Sequence, residues 1–321
     1  MLMAIRKTLP MILMACMTWG AHATELPTTL VVGFQAGGGL DSVARALANE
    51  LNKTGKHKIV VENKPGASGM MAIDAVRNAS RNSALLVIMP GGSITMTPHT
   101  NKHFQYDPEK DLVPVARLAT YTLGVAVSPD VNAATLAQFL KLAHDSQKLA
   151  AYGTAGIGLS PHFVGETIAE QSRVNLVHVP YKGAGPAIND ALGKQIPAVI
   201  STVPSLLPMV RDGRLKLLAT TGAHRDKHAP DVPTLKELGY PGLAIEEWFG
   251  ILAPATMSSE TVKQWNTAIN NALNSKALHD TLTLQGFLPA PMSASDFREL
   301  VLHDYVMWGK ALSNSGNTFS N

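Results

Sequence analysis

Cysteine is almost absent: among 321 residues there is one, Cys16. It lies in an N-terminal stretch read below as a removable signal. The mature chain then has no thiol for a disulfide, a nucleophile or a metal thiolate. Charge is sparse as well, at 16% of residues, and 27 basic side chains nearly balance 24 acidic ones. No polybasic run and no basic stripe with interleaved aromatics occurs, so neither nucleic acid nor an anionic membrane has a recognisable footprint here. Collagen-like, coiled-coil and low-complexity tracts are missing, and no repeat recurs at solenoid spacing. What is present is apolar: 45% of residues are hydrophobic, enough for a sizeable core in one large domain or two smaller ones.

The first 23 residues have the pattern of a secretory signal. Arg6 and Lys7 form a basic n-region, Leu9 to Trp19 an apolar core, and Ala21-His22-Ala23 an A-x-A cleavage site,. The apolar run is shorter than the roughly 20 residues of a membrane span. Leu13-Met14-Ala15-Cys16 faintly resembles a lipoprotein processing site, a pattern that Met14 fits poorly,. Cleavage after Ala23 predicts an exported protein starting at Thr24. It removes two of the 27 basic residues, Arg6 and Lys7, and leaves 25 against 24 acidic, a net charge of +1.

Strands and helices alternate along the rest of the chain. Leu30 to Phe34 reads as a strand, Gly37-Gly38-Gly39 as a loop, and Val43, Leu47 and Leu51 mark one face of a helix opened by Asp41,. Lys58 to Glu62 and Leu85 to Met89 read as strands around a helix from Met70 to Ala79. Further on, strands are expected at Gly124 to Val127, Asn175 to Val179, Ile196 to Thr202, Leu215 to Thr220 and Trp248 to Leu252. Helices are expected at Thr135 to Asp145, His162 to Gln171, Pro186 to Leu192, Ser259 to Asn274 and Ser295 to Leu312, before a polar tail. This alternation predicts an α/β fold with a largely parallel sheet. Two such units are visible, each with a glycine-rich loop between a strand and a helix. Loops of that kind sit at the carboxyl ends of strands, where backbone N–H groups and the helix dipole make an anion site without a charged side chain. Two loops facing each other across a cleft would hold the two ends of one small anion.

More familiar readings of the same residues fit less well. Gly37-Gly38-Gly39-Leu40-Asp41-Ser42 has Ser42 where a dinucleotide fingerprint needs its third glycine, and no Gly-Lys-Ser/Thr follows to make a P-loop,. Its plain role is a turn with Asp41 as helix N-cap, which leaves Asp41 free to line a site as well. Gly158-Leu159-Ser160-Pro161-His162 ends in His162 where a nucleophile elbow has glycine,. Ser160 then reads equally as an N-cap, and His162 as a solvent-exposed residue of the first turn. His99/His103 and His224/His228 are each four apart but lack the glutamate of a zinc-protease helix, and read as surface histidines; Trp248 and Trp265 read as core,. For Tyr181 and Lys182, after a strand and beside Gly183, a ligand contact and an ordinary turn remain equally open.

Several motifs in one order carry a family resemblance. They are Phe34 to Arg45, Val60 to Ala67 (VVENKPGA), Tyr106 to Asp111 (YDPEKD), Val179 to Gly183 (VPYKG), Pro230 to Thr234 (PDVPT) and Trp248 to Pro254 (WFGILAP). Over nearly the whole mature chain the sequence resembles the solute-binding proteins of tripartite tricarboxylate transporters, the Bug family of periplasmic receptors. The resemblance implies a two-domain periplasmic-binding-protein fold of type II, a Venus flytrap with the ligand cleft between domains. Residues 24–122 and 247–321 would form one discontinuous domain and 123–246 an inserted one, with crossings near Tyr121 to Val127 and Glu246 to Leu252. It implies a binding protein and not an enzyme, a monomer whose partners are a small carboxylate and the membrane subunits of a tripartite tricarboxylate transporter, with no nucleic acid, no cofactor and no metal. Carried over by position, the ligand site would comprise Phe34, Gln35, Gly37, Gly38 and Asp41 with Ser93 and Thr95, and across the cleft Thr154, Ala155, Gly158, Leu159 and Ser160 with Tyr181. Gln35 and Leu159 depart from the residues common in the family, and Ser201 and Thr202 stand where many members have acidic and amide residues. Without that acidic group an amine on the ligand lacks its counter-charge, so an amine-free carboxylate, aromatic or partly apolar, is expected. Two alternatives use the same residues: a sensor that presents its closed form to a membrane receptor kinase, and a secreted hydrolase acting through Ser160.

Overall fold

A computed structural model describes residues 27–80, 84–101 and 106–315. The signal segment with Cys16, His103 and the last six residues lie outside the described residues. In chain order the elements are β1 (Thr28–Val32), α1 (Gly39–Lys53), β2 (Ile59–Asn63), α2 (Met70–Arg77), β3 (Leu85–Pro90), α3 (Gly91–Thr95), α4 (Thr97–Thr100), β4 (Leu112–Tyr121) and β5 (Leu123–Val127). They continue with α5 (Leu136–Asp145), β6 (Ala151–Thr154), α6 (Ser160–Ser172), β7 (Val177–Pro180), α7 (Ala184–Leu192), β8 (Ala198–Thr202), α8 (Val203–Arg211) and β9 (Lys216–Thr220). The chain closes with β10 (Glu247–Pro254), α9 (Ser259–Asn274), α10 (Lys276–Leu284), β11 (Leu288–Pro289) and α11 (Ala294–Ser315). The last helix extends to Ser315, past the start of the expected polar tail.

The strands form two sheets, ordered β11-β4-β10-β3-β1-β2 and β7-β6-β8-β5-β9. Around β1 and around β6 the pairs are parallel, as the βαβ alternation requires,. The expectation of largely parallel sheets does not hold, because β10 runs antiparallel to β3 and β4, and β5 antiparallel to β8 and β9. The reason is the connectivity. β4 in the first sheet passes through Thr122 alone into β5 of the second, and the chain returns along β10, opposite in direction to β4.

Each helix buries the face its sequence spacing marks. In α1, Leu40, Val43, Ala44, Leu47 and Leu51 are buried while Arg45 and Glu50 are not. Each large aliphatic residue so buried contributes about 1.5–3 kcal/mol relative to exposure. β10 is buried along its whole length, Glu247 included, as befits a strand inside a sheet with both faces covered. Trp248 is in the core, and Trp265 is half-buried.

Candidate ligand-binding cleft

The carboxyl ends of both sheets meet the starts of several helices at one cleft. Its empty space, open mouth included, is ≈ 620 Å³. The first sheet contributes the loop after β1 (Phe34, Gln35, Gly38), the first turn of α1 (Gly39, Leu40, Asp41), Pro90, Gly92, Ser93, and the aromatic ends of β4 and β10, Tyr121 and Phe249. The second contributes Ala155, Leu159, Ser160 and Pro161 from the loop into α6, Ala184 at the start of α7, and Ser201, Thr202 and Ser205 around the start of α8. Tyr121 and Phe249 pack at 4.4 Å between ring centroids, and Phe287 closes the cluster at 5.6 Å from Phe249.

Among the described residues no Arg, Lys or His lines this space, whereas the carboxyl groups of Asp41 and Glu247 do. What favours an anion there is the backbone. α1, α6, α7 and α8 all begin at the cleft wall, and each N-terminus favours an anion by about 0.3–1 kcal/mol. Much of the wall between them is apolar, which reduces the solvent screening of those dipoles,.

Asp41 does not cap α1 as its N-cap residue; Gly38 holds that position. The carboxylate instead reaches back from the first turn and accepts hydrogen bonds from Gly37 N–H (3.1 Å), Arg45 Nε (3.0 Å) and Asn63 Nδ2 (2.9 Å). Burial pushes the Asp41 carboxyl upward, but the bonds from Arg45, Asn63 and Gly37 outweigh it and hold the group below the ordinary aspartate value,. Asn63 also donates to the carbonyl of Phe34 (3.0 Å). The first loop is thereby tied to its own helix and to β2.

The second loop is held by histidines. Leu159, not Ser160, is the N-cap of α6, so Ser160 is the first helical residue. His162, expected at the surface, is buried: its Nδ1 accepts the Gly158 N–H at 3.1 Å and its ring stacks on His178 at 3.8 Å. Thr154 Oγ1 lies 2.7 Å from His178 Nε2 and donates to the carbonyl of Gly156 at 3.0 Å. With its Nδ1 committed to Gly158 and its Nε2 3.6 Å from Glu166, His162 is not arranged as a base for Ser160. The Ser160 hydroxyl has no hydrogen-bond partner of ordinary geometry among the described residues.

Ten of the fifteen residues expected at the site therefore line one cleft: Phe34, Gln35, Gly38, Asp41, Ser93, Ala155, Leu159, Ser160, Ser201 and Thr202. Gly37 and Gly158 line adjoining hollows. Thr95 is buried behind the wall and donates to Gly91 O (2.9 Å), and Thr154 is buried behind the second loop. Tyr181 lies in the hollow beside Gly158, with its hydroxyl donated to Asp190 at 2.7 Å. Of the histidine pairs, His99 stacks on Tyr305 and His224 is exposed.

Sequence reasoning missed Glu247, Tyr121 and Phe249. Glu247 is only 5% exposed and lies in the cleft wall, where Gly92 N–H donates to its Oε2 at 3.3 Å. Burial raises its carboxyl to about 7; the nearby Ser160 hydroxyl opposes that rise, Asp304 adds to it and Gly92 N–H opposes it. The one available signal was an acidic residue at the start of a wholly apolar strand.

The two halves touch across the cleft. Gln35 N–H donates to Lys182 O (3.2 Å), Ser68 Oγ to Ile157 O (2.7 Å), and Thr100 Oγ1 to Gly158 O (3.2 Å). Several of these approaches occur at glycines. A β-carbon on Gly92 would stand 2.4 Å from Ser160 Oγ, and one on Gly156 2.7 Å from Ser68 Oγ. Both glycine loops are thus seated against the opposite half.

Comparison with known proteins agrees with this architecture. Residues 43–316 match the tripartite tricarboxylate transporter family receptor, TctC. The protein BugT of Bordetella pertussis is 28% identical over 291 residues, 90% of this chain and 89% of BugT. The periplasmic binding protein BugD superposes with a TM-score of 0.85 at 27% identity, over 90% of this chain and 97% of BugD. Two proteins solved with ligands are similar too. Rpa4515 of R. palustris with adipate has a TM-score of 0.85 at 27% identity, covering 90% of this chain and 97% of that one. MatC of Rhodopseudomonas palustris with bound malate has a TM-score of 0.83 at 27% identity, covering 88% and 98%. The fold is therefore the α/β periplasmic-binding-protein fold, and the chain belongs to the tripartite tricarboxylate transporter family receptors.

Proposed function

We propose that the protein is an exported receptor that captures a small, amine-free carboxylate by closing two α/β lobes over it and delivers it to a membrane transporter of the tripartite tricarboxylate type. The single observation that carries this reading is the convergence of four helix N-termini on one cleft that no cationic side chain lines among the described residues. That arrangement suits a carboxylate held by backbone N–H groups. Family relatives solved with adipate and malate support the ligand class.

The lobes would be residues 24–122 with 247–321, and residues 123–246. The direct passage from β4 into β5 and the return along β10 supply a narrow two-stranded connection for closure,. Ligand bridging both loops would shift the population toward the closed form. The first 23 residues would be removed on export, and N-terminal sequencing of the exported protein should read from Thr24.

A thermal-shift screen of residues 24–321 tests the ligand class, using mono-, di- and tricarboxylates, aromatic acids and amino acids. A ligand at about 100 times its Kd stabilises by roughly 2.7 kcal/mol. A selective shift with one carboxylate class is expected. Tight calorimetric binding of aspartate or glutamate contradicts the amine-free assignment.

A further inference from the structure

Glu247 and Ser160 face each other from opposite sides of the cleft. Glu247 is on β10 of the first sheet and Ser160 opens α6 beside the second. Both are almost completely buried, and both line the ligand space. Their partners are few: Glu247 has the Gly92 N–H at 3.3 Å and the Ser160 hydroxyl beside it, and that hydroxyl has no other partner among the described residues. Buried polar groups are ordinarily paired, so this pair has hydrogen-bonding capacity left for a ligand.

The charges around Glu247 are unfavourable to its anion. Asp304 of α11 adds negative potential, held at 2.8 Å by the Trp248 indole N–H and flanked by His303 at 3.2 Å. Tyr121 of β4, opposite Glu247 in the sheet, is neutral because burial, reinforced by Glu247, raises its phenol. Arg117 of β4 lies near Glu246 and Asp304 and donates to Ala290 O. Asp41, across the cavity, is spent on Arg45 and Asn63. No cation is among the groups that act on Glu247.

Given the carboxylate reading above, on which this inference rests, we propose that Glu247 is a specificity-determining residue: protonated in the complex, it donates a hydrogen bond to a second oxygen function of the ligand, with Ser160 beside it. A carboxylate ligand brings a second negative charge into the cleft and favours the neutral acid. The ligand's distal carboxylate, carbonyl or hydroxyl oxygen accepts that proton's hydrogen bond. An ammonium ligand would instead hold Glu247 ionised.

These alternatives have opposite proton linkage. At pH values where free Glu247 is ionised, capture by the neutral acid takes up as much as one proton from solution. Affinity then falls with rising pH, approaching tenfold per unit well above the free group's midpoint near 7,. Capture of an ammonium by the anion releases a proton instead, and affinity rises with pH.

The experiment is calorimetry with malate and adipate, and with any other carboxylate that shifts the melting temperature, from pH 6.5 to 9 in buffers of different ionisation enthalpy. Proton uptake and weakening with pH are expected for the full mature protein. Glu247→Gln retains an N–H donor at the same place; it should bind within about threefold of the wild type at pH 6.5 and lose the pH dependence. Proton release, a flat wild-type profile, or an unchanged profile in Glu247→Gln overturns the proposal. The wild-type measurements decide it if that variant does not fold. Binding with a flat profile leaves the carboxylate reading standing, whereas failure of every carboxylate in the panel overturns both.

Discussion

Substitution of Gly92 by alanine separates closure from folding. Gly92 belongs to α3, and none of its backbone angles demands glycine. A methyl group there restricts the unfolded chain and favours the helix by roughly 0.5–1 kcal/mol. It meets an obstacle only across the cleft: Ser160 Oγ at 2.4 Å and Ser160 N at 3.3 Å. The Ser160 hydroxyl must be displaced from its tightly packed place against Gly92, so a cost of about 1–2 kcal/mol falls on the closed form, at the lower end of overpacking penalties. That predicts a 5- to 30-fold rise in Kd at 1.4 kcal/mol per decade, with the ligand-free melting temperature unchanged or slightly higher. Calorimetric titration with the carboxylate that the thermal-shift screen selects measures the affinity, and a double-mutant cycle with Ser160→Ala assigns the cause. In that background the added methyl faces only a β-carbon at 3.6 Å and the backbone nitrogen, so the Gly92→Ala penalty should shrink to about twofold, roughly 0.4 kcal/mol. A Kd within twofold of wild type for the single variant refutes the reasoning. An equal penalty in both backgrounds also refutes it, because the methyl would then obstruct the ligand, not Ser160.

Other predictions concern the supports of the two loops. His178 is pushed down to about 3 by burial and by His162, against an opposing effect of Glu166. The unfolded chain, titrating near 6.5, binds a proton that the folded one refuses between those values, so stability is full above about pH 6.5 and falls on acidification through that window. Melting temperatures at pH 7.5 and 5 should differ less in His178→Phe than in wild type; parallel curves would count against the assignment. Asp41 acts in the same sense at lower pH, because its lowered pKa makes its contribution present above the unfolded value near 3.9 and lost as pH falls through the folded one,. Asp41→Asn should cost about 1–3 kcal/mol in urea unfolding at pH 7, and the difference should close under acid. Tyr181→Phe should leave the affinity for the carboxylate selected by thermal shift within twofold, since its hydroxyl is donated to Asp190; a tenfold loss in titration would restore Tyr181 to the ligand site.

Long periodic helices and glycine loops were readable because their signals are local. Ser259–Asn274 occupies the range its spacing marks, and both glycine loops fall where a strand gives way to a helix. Two elements with proline inside them, β4 and α8, were missed. β4 carries Pro114, which reads as a break, yet the strand tolerates it beside a register irregularity at Ile251/Leu252 of β10,. In α8, Pro204 stands in the first turn, where its missing N–H costs nothing, and Pro208 lies inside the helix,. The first-turn position of Asp41 and the burial of His162 depend on contacts with Asn63 and His178, distant in sequence. Glu247 was hidden for the same reason: only the meeting of β10 with Gly92 and Ser160 gives its carboxyl a role.

The glycines of the cleft answer two demands that sequence alone does not separate. A glycine loop at a helix start is commonly explained by the access it gives an anion to backbone N–H groups. Here Gly38 fits that account, for a β-carbon on it would make only ordinary contact with Ala184, at 3.9 Å. Gly92 and Gly156 face side chains of the opposite half at 2.4 and 2.7 Å, and Gly158 faces Thr100 Oγ1 at 2.3 Å with φ at +70°. At these three positions the missing side chain makes room for the other half of the protein. Gly158 has the further constraint of a left-handed backbone. The glycine pattern therefore encodes the fit of the closed cleft as much as the anion site. Discrimination between ligands is left to the side chains that line the space between these glycines, among them Gln35, Leu159 and Glu247.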